Sequence, residues 1–280
     1  MTDSLWIILT GSLVAICCSL LGSFLILRKM SMVGDAISHA VLPGIVIAFL
    51  VAGTMQSIWM LVGAGLIGLL TTFLIEFLHQ KGRLQTDASI GVTFTWLFAL
   101  GVILVTYYAG NTHIDQDCVL YGEIAYVPID LVYTTSGDPI GPKAVIMLSI
   151  LLCLILGCLL LFYKEIFITT FDPAYARAIG LSTNTWHYLI MGLVSLTTVA
   201  SFESVGAILV VAFLVSPAAS AYLLTKDLKS MLFLGAAFGI LSASGGYFLA
   251  SAINGSIAGA MVTVSGVIFA FCYLIVSAKK

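Results

Sequence analysis

The sequence predicts an all-α, polytopic transmembrane helical bundle of about nine spans. Of the 280 residues, 61% are hydrophobic and only 9% are charged, whereas roughly 25% are charged in an ordinary soluble domain. A water-soluble fold of this size could not bury so much apolar surface. The apolar segments are continuous and do not alternate, which argues against a transmembrane β-barrel. Soluble enzymes, secreted disulfide scaffolds and disordered chains are excluded, and a net charge of −2 gives no basic field for nucleic acid.

Nine segments are long and apolar enough to cross a bilayer core of roughly 30 Å, which takes about 20 residues of helix. They lie at 5–27, 36–53, 58–78, 88–109, 143–163, 186–202, 205–224, 231–250 and 257–278. Almost no sequence separates the sixth and seventh, so one of them is a candidate for a broken or re-entrant helix. The alternative is then a bundle of eight spans with one half-helix. In either case residues 1–280 form a single transmembrane domain.

The basic residues predict the orientation of the bundle. Ten of the eleven Lys and Arg residues fall in loops on one side of the predicted membrane, and only Lys143 falls on the other. The positive-inside rule places that side in the cytoplasm. The N-terminus is then outside and the C-terminus, with Lys279 and Lys280, is cytoplasmic, in agreement with an odd number of spans. The acidic loop 110–142 is predicted to lie outside, as a solvated loop or, alternatively, as a site of metal capture or partner docking.

Asp35 and His39 are the first candidate site residues. An ionisable side chain within a membrane span is costly and is a functional hypothesis by default. Their spacing of four residues places a carboxylate and an imidazole on one face of a helix, which is half of a divalent-metal site. The alternative is a buried Asp–His hydrogen bond that holds a kinked helix. Pro43 leaves the carbonyl of His39 without its helical donor and is a candidate hinge.

Glu203 and Pro217 each have two interpretations, and one further pair is assigned to the surface. Glu203, between the sixth and seventh spans, is either a third oxygen ligand or gate residue, or a solvated loop acid. Pro217 is either a hinge of the seventh span or a simple packing kink. Glu76 and His79, at the end of the third span, are predicted to form a surface ion pair near the cytoplasmic interface.

The cytoplasmic segment 164–186 predicts a short helix set crosswise between two spans. Asp172 suits the N-cap, Pro173 the first helical position, and Gly180 the position just after the last turn. A helix of about seven residues has little stability of its own. It is therefore predicted to dock into a cytoplasmic partner, the alternative being an interfacial linker.

Motifs of several enzyme classes are absent from the sequence. There is no Gly-x-x-x-x-Gly-Lys-[Ser/Thr] phosphate loop, so the chain is not an ATPase by that route. There is also no His-Glu-x-x-His and no Gly-x-Ser-x-Gly, which intramembrane metalloproteases and hydrolases would require. The chain is therefore predicted not to be an enzyme on its own.

Three stretches together resemble the metal-type ABC importer permeases, the membrane subunits of bacterial manganese, zinc and iron uptake systems. The resemblance covers nearly the whole chain in order, and its motifs are Leu21 to Gly44, Phe171-Asp172-Pro173 with Ala178 and Gly180, and Val205 to Val210 with Pro217-Ala218-Ala219. The loop Asp115 to Glu123 resembles the manganese-type members.

The resemblance implies a multi-pass protein of the bacterial cytoplasmic membrane that works with several partners. These are a second permease subunit, identical or different, two cytoplasmic ATPase subunits and an extracytoplasmic metal-binding protein. It implies that Asp172, Pro173, Ala178 and Gly180 belong to a coupling helix that receives the ATPase motion. It also implies that Asp35, His39 and Glu203 contact metal in the pathway.

Ligand chemistry and the coupling helix lead to one expected function with two rivals. Asp, His and Glu without Cys suit Mn²⁺ and Fe²⁺ and do not exclude Zn²⁺, so we expect a transported divalent metal, manganese first, and no resident cofactor. The expected mechanism is alternating access driven by ATP. The first rival is a secondary transporter in which Asp35 or Glu203 carries coupled protons. The second is a membrane enzyme that uses Asp35 and His39 as acid and base.

Overall fold

The computed structural model describes residues 3–52, 57–108, 124–133 and 139–278. Nearly all of them form α-helices. The helices are α1 (Asp3–Leu27), α2 (Val33–Ala40), α3 (Leu42–Ala52), α4 (Ser57–Gln80), α5 (Thr86–Tyr108), α6 (Lys143–Leu161), α7 (Tyr163–Phe171), α8 (Pro173–Ala178), α9 (Thr183–Val205), α10 (Ala207–Leu224), α11 (Leu228–Ile253) and α12 (Ile257–Ser277).

Eight stretches among the described residues are helical, long and apolar enough to cross a membrane. They are α1, α2 together with α3, most of α4, and then α5, α6, α10, α11 and α12. The predicted all-α, polytopic fold is thereby confirmed. Helix α9 covers the predicted sixth span but carries many hydroxyl side chains and is not among the eight. The count of nine spans and the orientation of the termini stay predictions.

The helices form two groups that meet along α1 and α9. Helices α1, α10, α11 and α12 pack against one another, while α2, α3, α4 and α5 form the second group, and α9 contacts both α1 and α4. At Gly22 of α1 an added Cβ would overlap the backbone carbonyl of Leu214 on α10. Small residues of this kind let membrane helices approach closely. Helix α1 is accordingly buried along most of its length.

The contacts define two ends of the bundle. At one, which we call the basic end, the side chain of Arg28 lies against Thr170 and His187, and a cavity of about 530 Å³ is lined by Leu27, Phe171, Lys226 and Val276 among others. At the opposite end, Tyr247 Oη donates a hydrogen bond of 2.6 Å to Ser4 Oγ. Helices α1 and α9 therefore run in opposite senses between the two ends.

The connection from α9 to α10 is a single residue. Gly206 has φ 80° and ψ 163°, a conformation that side-chain-bearing residues rarely adopt. The helices on either side have 23 and 18 residues, so neither is a half-helix. The expected break lies instead in the second span, between α2 and α3. The reason is Pro43, which removes a helical hydrogen bond there, whereas the junction at Gly206 reverses the chain between two complete helices.

The loop 110–142, predicted to lie outside, contains a small antiparallel hairpin that the sequence did not predict. Strand β1 (Leu131–Tyr133) pairs with β2 (Pro139–Pro142), with Val132 opposite Gly141. Gly141, with φ 152°, lies against the ring of Trp6 on α1, which fixes the hairpin on the bundle. The predicted loop residues His113, Asp115, Asp117, Cys118 and Glu123 lie outside the described residues.

Candidate metal site and coupling segment

Asp35 and His39 lie one turn apart on the same face of α2. Asp35 Oδ1 and His39 Nε2 are 3.6 Å apart, and their side chains are 42% and 38% exposed. Ile37, on the other face, is completely buried. Helix α2 is thus packed against the bundle through one face, and it presents a carboxylate and an imidazole on the other.

The surroundings of His39 argue against the alternative of a buried Asp–His hydrogen bond. A distance of 3.6 Å exceeds that of a hydrogen bond, and neither side chain is buried. The imidazole instead contacts two rings of α5, with centroid distances of 5.9 Å to Phe94 and 6.0 Å to Phe98. These rings restrict the orientation of the imidazole while Nε2 stays near the carboxylate. Both groups are therefore available to a passing cation.

Pro43 lies at the break that separates α2 from α3. The N–H groups of Gly44 and Ile45 both donate to the carbonyl of Val41, at 2.9 Å and 3.2 Å, and Pro43 has no N–H to donate to His39. The helix is thus interrupted just after the candidate ligands. Pro217, in contrast, is buried within α10, which continues through it without a break. That either proline acts as a hinge stays a prediction.

Glu203 belongs to the last turn of α9 and not to a loop, so the interpretation as a loop acid is wrong for its backbone. Its side chain lies outside the described part of the chain, and its assignment as a ligand stays a prediction. Within that described part, no group of three or more His, Cys, Asp or Glu side chains is arranged to hold a metal ion. Asp35 and His39 therefore offer two protein ligands, and an ion between them would retain water.

The predicted short helix of the cytoplasmic segment is present as α8 and is capped at both ends. The carboxylate of Asp172 accepts a hydrogen bond of 2.9 Å from the N–H of Tyr175, and Pro173 occupies the first helical position. At the other end Gly180, with φ 84°, donates to the carbonyl of Arg177, and Leu181 donates to that of Ala176. This pair of bonds is a Schellman motif. Ala178 is the last helical residue.

Helix α7, which the sequence did not predict, directly precedes α8. Phe171 at the end of α7, Tyr175 on α8 and Ile179 after it are about half exposed, whereas Ala176 is completely buried. The spacing of four residues was visible in the sequence. We call the three exposed side chains, which lie at the basic end of the bundle, the apolar stripe.

The predicted surface ion pair of Glu76 with His79 is wrong. Glu76 Oε2 lies 3.0 Å from His187 Nε2 on α9, and the two side chains are only 10% and 17% exposed. Gln80 donates a second hydrogen bond to Glu76, while His79 Nδ1 lies 2.9 Å from the carbonyl of Leu84. Helix α9 covers Glu76, which the local sequence does not show. A lone histidine at the start of an apolar span was the signal that could have identified His187.

Comparison with known proteins identifies the family. The profile of the ABC 3 transport family matches residues 4–278. The chain belongs to the ABC 3 transport family. It is 53% identical over 274 residues to the manganese transport system membrane protein MntD of Bacillus subtilis, covering 98% of this chain and 92% of that protein. It is 42% identical to the zinc transport system membrane protein TroD of Treponema pallidum, covering 96% of this chain and 72% of that protein.

A solved structure has the same fold. A chain of PsaBC from Streptococcus pneumoniae, solved in complex with a Fab, matches with a TM-score of 0.79 and 32% identity, over 98% of this chain and 91% of that chain. The resemblance to metal-type ABC importer permeases is confirmed by these findings. The chain is a multi-pass membrane protein of an ABC transport family.

Proposed function

We propose that the chain is the permease subunit of an ATP-driven importer of divalent transition metals, with manganese as the first substrate. The observation that carries the proposal is its 53% identity over nearly its whole length to a manganese transport system membrane protein. The Asp35–His39 pair supplies donors that suit Mn²⁺. The zinc transport relative, at 42% identity, keeps Zn²⁺ as the second substrate to test.

Alternating access is the proposed mechanism. A second permease subunit would complete the pathway, and an extracytoplasmic metal-binding protein would deliver the ion to the outer side in the bacterial cytoplasmic membrane. ATP would be hydrolysed by separate cytoplasmic subunits. The half-exposed Asp35 and His39 would contact the ion as it passes, and two protein ligands with retained water would bind weakly enough to release it. Glu203 is proposed as a third contact.

Docking of the ATPase would occur on α8. A helix of six residues would fray alone, and here its two caps hold it while the side chains of the apolar stripe stay about half exposed. Exposed apolar patches of this kind mark surfaces for partner binding. This surface favours an ATP-driven importer over a secondary transporter, which would need no cytoplasmic partner.

Radiolabelled manganese uptake tests the proposal. The chain would be expressed with its neighbouring ATPase and binding-protein genes in a bacterial strain without manganese importers. Wild type would be compared with Asp35→Asn, with His39→Ala and with a catalytically inactive ATPase. The amount of permease in the membrane would be measured for each. We expect full uptake only in the wild type.

Two results would overturn parts of the proposal. Uptake that survives the inactive ATPase would exclude the ATP-driven mechanism and favour proton-coupled transport. Absence of manganese uptake in the wild type, with zinc or iron uptake present in the same strain, would reject manganese as the first substrate.

A further inference from the structure

A chain of hydrogen bonds at the basic end links four helices and is not part of the proposed metal site. Arg28, just after α1, donates to Thr170 Oγ1 on α7 through Nε at 3.3 Å and through Nη2 at 3.0 Å. Arg28 Nη1 lies 3.2 Å from His187 Nδ1 on α9. His187 Nε2 in turn meets Glu76 on α4 at 3.0 Å. We call these four residues the basic-end network.

The geometry indicates which ring nitrogen of a neutral His187 would carry the proton. Burial lowers the pKa of Arg28 to about 10, against the opposing effect of Glu76, so the guanidinium stays protonated at neutral pH and can only donate. His187 Nδ1 must then accept from Arg28, and the single proton of a neutral imidazole resides on Nε2, where it is donated to Glu76. The imidazole is therefore a relay with one acceptor and one donor, both in use.

One end of the network is attached to the capped helix α8. Thr170 is the penultimate residue of α7, and Asp172, the N-cap of α8, follows two residues later. The N–H of Asp172 also donates to the carbonyl of Ile168 at 2.9 Å. A displacement of α8 therefore reaches Thr170 with almost no intervening flexible chain.

The other end of the network leads to the candidate metal site. Farther from the basic end than Glu76 and His187, α4 and α9 touch at Gly68 and Ser195. An added Cβ on Gly68 would overlap the Ser195 hydroxyl there. Ile37 of α2 packs into the same contact. Ile37 lies on the face of α2 opposite Asp35 and His39. A relative movement of α4 and α9 would therefore displace the helix that carries both candidate ligands.

We propose that the basic-end network of Thr170, Arg28, His187 and Glu76 transmits the movement of α8 to α4 and α9, and thereby to the Asp35–His39 pair. The inference rests on the proposed function, since it requires an ATPase that moves α8. The four side chains are positioning residues that touch neither metal nor ATP. Removal of one bond of the chain should therefore separate ATP hydrolysis from transport.

The test uses the complete transporter, with ATPase subunits, second permease and binding protein, reconstituted in liposomes. Initial rates of Mn²⁺ uptake and of ATP hydrolysis would be measured on the same preparation and expressed as ions transported per ATP. Thr170→Val removes the acceptor of Arg28. Thr169→Val is the matched control, because the Thr169 hydroxyl donates only to the carbonyls of Glu165 and Ile166 within its own helix.

A second pair of variants tests the relay. His187→Leu removes both bonds, whereas His187→Gln retains one donor and one acceptor. We expect Thr170→Val and His187→Leu to hydrolyse ATP but to lower the number of ions per ATP by about fivefold or more, at the lower end of coupling between sites. Thr169→Val should match wild type, and His187→Gln should restore most of the loss.

Each other outcome would overturn the inference. If uptake and hydrolysis fall in parallel in Thr170→Val and His187→Leu, or if ions per ATP stay at the wild-type value, the network only stabilises the fold. If Thr169→Val uncouples as strongly as Thr170→Val, the link through Arg28 is rejected. Failure of wild-type transport to depend on ATP would refute the proposed function itself, so the two failures are distinguishable.

Discussion

Gly68 on α4 lies so close to Ser195 on α9 that an added Cβ would overlap the Ser195 hydroxyl. Membrane helices associate largely through such close packing, because lipid supplies little hydrophobic driving force between them. Gly44 on α3 and Gly63 on α4 form a second contact of this kind, where a Cβ on either residue would overlap the backbone of the other. Helix α4 is thus held between α3 and α9 through glycine contacts.

Gly68→Ala is expected to destabilise the folded permease. The new methyl group would displace the Ser195 hydroxyl from its position or shift the helix that carries it, and overpacking of this kind costs about 1–3 kcal/mol. Thermal unfolding of the purified protein in detergent, followed by tryptophan fluorescence, measures the effect. Gly65→Ala on the same helix is the control, since no atom lies within 4 Å of its added Cβ, and it should not lower the midpoint. Equal midpoints for the two variants would contradict the packing argument.

Asp35→Asn should abolish most metal transport without altering the fold. The amide has the size of the carboxylate but no charge, so it binds a divalent cation poorly. We expect initial uptake to fall by about tenfold or more, the scale found when groups that support a metal ion are replaced. Asp87→Asn, in the exposed first turn of α5, is the matched control and should transport normally. Normal uptake by Asp35→Asn would remove Asp35 from the pathway.

Asp172→Ala should loosen α8 at its N-terminus. The variant loses the bond from the N–H of Tyr175, and loss of an N-cap costs about 1 kcal/mol. Amide hydrogen exchange of peptides that cover 173–178 should become faster by about fivefold if this cost is local. Asp172→Asn retains an acceptor oxygen and should exchange at nearly the wild-type rate. Unchanged exchange in Asp172→Ala would mean that packing of Ala176 alone holds the helix.

Gly180→Ala should weaken the other end of α8 although its surroundings are open. No atom lies within 4 Å of an added Cβ, but φ is 84°, and a left-handed conformation costs about 1–2 kcal/mol for a side-chain-bearing residue. The two hydrogen bonds of the Schellman motif should open, and amide hydrogen exchange at positions 180 and 181 should become faster. Gly157→Ala has the same open surroundings within the regular helix α6. It should show no loss of local stability and no faster amide hydrogen exchange. A loss in both variants would point to a cause other than the backbone.

Tyr175→Ala should weaken binding of the ATPase subunit. Tyr175 is 54% exposed at the centre of the apolar stripe, and truncation of a central aromatic anchor commonly raises Kd by about tenfold or more. Titration of purified ATPase onto the permease in nanodiscs measures Kd directly. Tyr273→Ala on α12, where the side chain is 56% exposed, serves as the control and should leave Kd unchanged. A wild-type Kd for Tyr175→Ala would place the docking surface elsewhere.

Features with a local cause were predictable from the sequence. The bounds of α8 follow from Asp172, Pro173 and Gly180, because capping depends on residues within one turn. The spans follow from continuous apolar composition, and the shared face of Asp35 and His39 follows from helical spacing alone. Eight of the nine predicted spans coincide with stretches long and apolar enough to cross a membrane, and α8 and the shared face are present where the sequence predicts them.

Features that depend on distant partners were not predictable. Glu76 is near His79 in sequence, but it pairs with His187 because α9 packs over α4 in three dimensions. The position of the broken span was wrong for a related reason. The short connection at Gly206 suggested a half-helix, whereas the chain can reverse within a single glycine, and the break falls at Pro43. The hairpin β1–β2 depends on the contact of Gly141 with Trp6, which no local pattern indicates.

The single-residue connection at Gly206 has a mechanical consequence. Consecutive Cα atoms are only about 3.8 Å apart, so the end of α9 and the start of α10 cannot separate or slide past each other by more than a fraction of a helix diameter. Helix α9 belongs with α4, and α10 belongs with α1, α11 and α12. The junction is therefore a joint without slack between the two helix groups, and a tilt imposed on one must be taken up by the other as rotation about this point.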